Sequence, residues 1–184
     1  MPLKIVAGIL IVAAIATLAD WAWFTFGVPN CTSAGVAYGA VLLTAVGGAL
    51  GAASGRLVRG LPIGMLAGIG GALSYYVLFT VLDELGAILA AWVVIWISMA
   101  VLEGRWISGT RRSWLAIAGR GTAAAALSGI GFYLVYETLW GPPPAGDRNY
   151  AVQFGAWAVA LAPGMVALTL TVGRRPETAT SLAD

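Results

Sequence analysis

The sequence predicts an all-α integral membrane protein, a compact bundle of six transmembrane helices with both termini cytoplasmic. Three observations predict it. The chain is 60% hydrophobic and only 10% charged, whereas soluble domains carry about 25% charged residues. It contains six apolar runs near the ~20 residues that a spanning helix needs. Nine of its ten basic residues fall on one side of the membrane those runs imply.

The first run covers residues 4–26. Lys4, a leucine/alanine stretch and Thr17-Leu18-Ala19 resemble a secretory signal with a cleavage site; the segment is read here as the first spanning helix. The second run covers 33–55. The third covers 61–82, with Pro62 in its first turn, where the missing N–H costs nothing. The fourth covers 85–102, the fifth 113–140 and the sixth 150–172. All are continuously apolar rather than alternating, which favours helices over barrel strands. Gly27-Val28-Pro29-Asn30 closes the first, and Gly141-Pro142-Pro143-Pro144 is a stiff stop after the fifth. Residues 1–175 thus read as one domain, and 176–184 as a short polar tail.

Basic residues near helix ends stay cytoplasmic. Lys4, Arg56, Arg59, Arg105, Arg111, Arg112, Arg120, Arg174 and Arg175 all lie on one face if both termini are inside; only Arg148 lies opposite. The expected address is a plasma or inner membrane. No basic run is long enough to suggest nucleic acid. Histidine is absent, which removes His-ligated haem, the usual zinc sites and His-based nucleophilic pairs. No cofactor or metal is expected. The single Cys31 cannot form an internal disulfide. It reads as a loop thiol, and Asn30-Cys31-Thr32, though a sequon, is given no weight.

Aromatics and acids sort to the outer side. Trp96, Trp106 and Trp114 alone among the tryptophans lie toward the inner side. An interfacial belt should decorate both surfaces. Either an aromatic-lined outer cavity or a thick belt with packing accounts for the excess. Asp83, Glu84 and Asp147 read as turn residues. Asp20 differs: it lies roughly 9 Å before the end of the first helix at ~1.5 Å per residue. Glu137 lies about one turn inside the fifth, among Tyr133, Tyr136 and Trp140. Carboxylates at such depth are functional candidates, with a hydrogen bond to a neighbouring helix as the alternative. The candidate substrate-binding set is Asp20, Trp21, Trp23, Tyr76, Tyr133, Tyr136, Glu137 and Trp157.

A second set reads as structural. Gly35, Gly39, Gly47, Gly51 and Gly55 recur at multiples of four along the second run, and Gly60, Gly64 and Gly68 along the third. Such stripes let backbones approach closely, on each other or on a partner subunit. Arg120 can snorkel or pair with Glu103. Pro163, in Ala162-Pro163-Gly164, should kink the sixth helix by freeing the carbonyl of Val159; broken helices often line transport sites. A loose internal echo, Ala72-Leu73-Ser74 before Asp83 and Ala126-Leu127-Ser128 before Glu137, hints at repeated hairpins.

Three functions fit. The first is a small solute transporter, or the substrate-binding subunit of one, taking a cationic or aromatic solute through ring faces and carboxylates. Six helices, both termini inside and small-residue faces resemble in architecture the substrate-binding subunits of energy-coupling-factor vitamin transporters, although no family motif carries the resemblance to particular residues. The second is a non-catalytic assembly subunit, or a homo-oligomer, joined through its small-residue faces. The third is an intramembrane enzyme acting on lipid, with Asp20 and Glu137 as an acid/base pair. Nothing in the sequence favours the third, and a catalytic role is not expected.

Overall fold

The computed structural model describes residues 2–107, 113–135 and 149–169. They form six helices: α1 (Pro2–Thr25), α2 (Thr32–Ala53), α3 (Leu57–Leu78), α4 (Glu84–Leu102), α5 (Trp114–Val135) and α6 (Tyr150–Thr169). A single π turn, Glu103–Ile107, extends α4. All six are long and apolar enough to cross a membrane, which supports an integral membrane location. Val6, Ile11, Val58, Val77, Leu115 and Leu134 are exposed. A surface this apolar suits lipid rather than water.

Local chemistry sets where the helices stop. Gly27 and Gly55 both have positive φ, 60° and 71°, a conformation that glycine adopts without strain. Each sits in a Schellman cap. After α1, Val28 N–H donates to Trp23 O and Gly27 N–H to Phe24 O; after α2, Arg56 N–H donates to Gly51 O and Gly55 N–H to Ala52 O. This satisfies carbonyls that a helix end otherwise leaves unpaired. At the other ends, Asp83 accepts from Gly86 N–H. Ser113 accepts from Ala116 N–H. Asn149 accepts from Ala151 and Val152 N–H. Asp83 is therefore a helix cap, in keeping with its reading as a turn residue.

The third helix begins earlier than the sequence suggests, at Leu57 rather than 61. The Gly55 cap turns the chain so tightly that Arg56 leads straight into α3. Pro62 then falls in the second turn, inside the helix, and Val58, whose carbonyl it leaves without a helical donor, is exposed at the helix end. The expected ends of the fifth and sixth helices, 136–140 and 170–172, lie outside the described residues.

Each helix packs on the next in chain order, and α6 returns to α1. Gly8 of α1 faces Ala49 of α2 and Met165 of α6, while Asp20 near the other end of α1 meets Tyr38 and Trp157. Contacts running in opposite order make neighbours antiparallel. The end with the α1–α2 and α3–α4 turns is called upper below, and the end with the α2–α3 turn lower. Val12, Val46, Leu50, Trp96, Met99, Leu161 and Met165 form the buried centre.

The tightest contact is α2 on α3. A Cβ on Gly47 would meet Gly60 O and lie 2.7 Å from Gly64 Cα; one on Gly64 would overlap Leu43 O, and one on Gly68 would overlap Gly39 O. The two stripes therefore face each other within one chain, and on these helices they are not left open to a partner subunit. In lipid such van der Waals contact drives helix association. Arg120 lies half-buried on α5. Glu103 is buried at the start of the π turn.

Gly64→Ala and Gly47→Ala should each destabilise the folded bundle by about 2 kcal/mol through overpacking against backbone, which cannot move aside. Gly70→Ala, where an added Cβ meets nothing, should cost nothing measurable. Unfolding by sodium dodecyl sulfate titration in mild detergent checks the contrast.

Candidate functional site

Asp20 is the organising residue of the upper half. Its Oδ1 accepts from Tyr38 Oη at 2.5 Å. Its Oδ2 accepts from Trp157 Nε1 at 2.7 Å and from Gln153 Nε2. The donors come from α2 and α6, so one carboxylate on α1 joins three helices. Gln153 and Trp157 are four residues apart and share one face of α6. Trp23, three residues after Asp20, packs edge-on against Tyr38 at 5.7 Å. The Tyr38 ring is thereby held by a hydrogen bond at its tip and a ring contact at its side. Hydrogen bonds to an anion are shorter and stronger than neutral ones. Three of them explain how a carboxylate is accommodated at this depth.

Beside this hub lies a cavity of about 370 Å³. That falls within the range of ligand-binding pockets, about 300–1,000 Å³. Asp20, Trp23, Tyr38, Tyr76, Trp92 and Trp157 contribute to its wall, with Asn30 above and Leu43 and Trp96 below. From Gly35 to Leu43 along α2 it descends roughly 12 Å at ~1.5 Å per residue. Tyr76 stands at the rim, where its hydroxyl donates to Cys31 O at 3.0 Å and reaches Asn30 Oδ1 at 3.4 Å. Gly35 makes room for that ring: a Cβ there would run into the phenol, 2.6 Å from its Cε2.

Trp92, Trp96 and Trp157 line the cavity, and with Phe132 behind them they form a chain of ring contacts. Trp92 stacks on Trp96 at 6.4 Å and 17°. Trp92 also meets Trp157 at 6.4 Å and Phe132 at 6.2 Å, and Phe132 meets Trp157 at 5.3 Å. Trp96 is fully buried. Its six-membered ring lies where a Cβ on Gly164 would be. Gly164 thus provides the seat of Trp96, on the α6 helix that also contains Pro163. Trp96 Nε1 and Gln153 Oε1 are buried with no hydrogen-bond partner among the described residues.

Of the residues singled out from the sequence, Asp20, Trp23, Tyr76 and Trp157 come together here. Trp21 lies elsewhere, exposed and packed edge-on against Phe26. Tyr133 packs on Phe132 and does not line the cavity. Tyr136 and Glu137 lie outside the described residues. Sequence reasoning did not single out Tyr38, Trp92, Trp96 or Gln153. Gln153 carried a usable signal: an amide inside an apolar run seeks a partner on another helix. Among the described residues, no group of three His, Cys, Asp or Glu could hold a metal.

Asp20→Ala should cost about 3 kcal/mol, because it strands three donors at once, whereas Trp157→Phe, which removes one of three, should cost about 1 kcal/mol. Combining Asp20→Ala with Tyr38→Phe should cost clearly less than the sum of the two, since both break one bond. Additive losses in the same unfolding assay would show that Asp20 and Tyr38 do not interact.

No family model, curated protein or solved structure matches this chain, so the reading of the site rests on its own geometry.

Proposed function

We propose that this protein captures a solute from the outer face of a cell membrane, as a small transporter or as the substrate-binding subunit of one. The observation that carries the reading is the upper cavity, walled by aromatic rings and bordered by the intramembrane carboxylate of Asp20. Its solute is flat and ring-bearing. A positive charge on it would be favoured, because the faces of Trp23, Tyr38, Trp92 and Trp157 are attractive to cations and Asp20 adds a full negative charge. With the lower end cytoplasmic, as the distribution of Lys4, Arg56, Arg59 and Arg105 favours, the cavity faces outward. The assembly-subunit alternative has less support, because the stripes of α2 and α3 occupy each other.

Two ring probes of matched shape test this: neutral acridine and permanently charged 10-methylacridinium, read by thermal stabilisation of the detergent-purified protein. The cation should bind about tenfold more tightly, a modest share of what a desolvated cation–π site can provide. Asp20→Asn should erase that advantage while leaving acridine binding in place. Failure of both probes to shift the melting temperature would remove the reading.

Orientation has its own check in Cys31, the only cysteine. The Ser33 hydroxyl, and after it the backbone N–H of Ala34, hold this thiol below its usual range. More of it is therefore the reactive thiolate at neutral pH. A membrane-impermeant maleimide applied to intact cells should label Cys31. It should not label a Cys31→Ser protein carrying Ser54→Cys in the opposite turn. The reverse pattern would invert the bundle.

A further inference from the structure

The lower end of the bundle carries a second hollow, of about 500 Å³, between α3 and the π turn. It shares no residue with the Asp20 cavity. Two guanidinium groups line it. Arg59 comes from the first turn of α3, and Arg105 from the π turn that follows α4. A π turn is wider than an α turn and is frequent at functional sites. This one puts Arg105 and Trp106 on the same hollow as α3. Arg105 is held in place by Trp114, its guanidinium carbon lying 4.2 Å from the ring centre. Among the described residues, no acid lines the hollow. Glu103, in the same turn, is buried instead.

The rest of the wall is apolar, and apart from the buried Ile63 it faces outward. Val58 is 82% exposed, Trp106 58% and Leu66 52%. The arginines sit at the ends of their apolar spans, which begin at Leu57 and end at Trp106, at the depth where interfacial tryptophans and lipid headgroups lie. Paired cations at that depth, with a strip of exposed Val58, Pro62 and Leu66 running from them along α3, match a phosphate with hydrocarbon beside it. Arginine is suited to the phosphate because its donors are fixed in a fork. A free anion would use the cations but not the apolar strip.

We propose that this hollow binds an anionic phospholipid, its phosphate between Arg59 and Arg105 and an acyl chain along Val58, Pro62 and Leu66. The test uses the intact chain in nonionic detergent, with phosphatidylglycerol and phosphatidylcholine supplied in equal amounts and the retained lipid read by native mass spectrometry. The wild type should retain phosphatidylglycerol preferentially. The Arg59→Gln/Arg105→Gln double variant should lower that preference about 30-fold, while Lys4→Gln, an exposed cation at the same end, should change it by less than about twofold. Arg59→Lys/Arg105→Lys, which keeps both charges and loses the forks, should fold as the wild type does and retain a preference between those of the wild type and the glutamine variant, which separates loss of charge from misfolding. Inorganic phosphate at millimolar concentration should not displace the lipid. Equal retention of the two lipids, an equal loss in Lys4→Gln, or displacement by phosphate would each overturn the proposal.

Discussion

The upper half of this bundle depends on how one carboxylate is accommodated. A charge at the depth of Asp20 is costly in hydrocarbon unless donors surround it. Here they come from two other helices: Tyr38 on α2, and Gln153 with Trp157 on α6. The need to satisfy Asp20 therefore orients three helices at once. It also fixes the rings beside it. Tyr38 and Trp157 cannot rotate away without stranding the anion, and both belong to the cavity wall. Charge satisfaction and cavity shape are thus one constraint, imposed by the same side chains.

The α2–α3 seam explains why there is space for that cavity. In its lower part, glycine meets glycine, Gly47 and Gly51 against Gly60 and Gly64, and the backbones touch. Higher up the pairing changes. Gly39 meets Gly68 and the methyl of Ala72, and at the top Gly35 accepts the whole ring of Tyr76. The backbones still touch at Gly39 and Gly68, and a large side chain stands opposite glycine only at the top. There Tyr76, which lines the cavity, reaches across to the α1–α2 turn. This gives physical content to the two unlike halves that the distribution of aromatics suggests.

Much of the fold was legible in the sequence because the membrane restricts the choices. Six apolar runs of spanning length permit six helices and little else. Asp20 could be picked out because a charge in such a run is conspicuous. Its partners were harder to see. Tyr38 is one aromatic among many until its hydroxyl is placed. Gln153 is uncharged, and the pairing spans 133 positions in sequence, which no local pattern encodes. The start of α3 was misplaced for a local reason: Pro62 suits a first turn, but the Gly55 cap decides where the helix begins. Gly164 shows the same limit. Beside Pro163 it reads as part of a kink, and the α4 ring that occupies the space beside it is not readable from the local sequence.

Trp96 brings these threads together at the floor of the cavity. It is the largest fully buried side chain, seated on Gly164 and stacked under Trp92. A buried indole usually finds an acceptor for its N–H, and leaving one unmet costs roughly 1–3 kcal/mol. Among the described residues Trp96 has none, and its N–H is enclosed rather than open to the cavity. A ring without that donor would avoid the cost, so the indole is held by what its rings touch, Trp92 on one side and the notch at Gly164 on the other. Trp96→Phe, which keeps a ring and removes the unmet N–H, should therefore destabilise the bundle clearly less in the detergent unfolding assay than Trp96→Ala, which empties the notch.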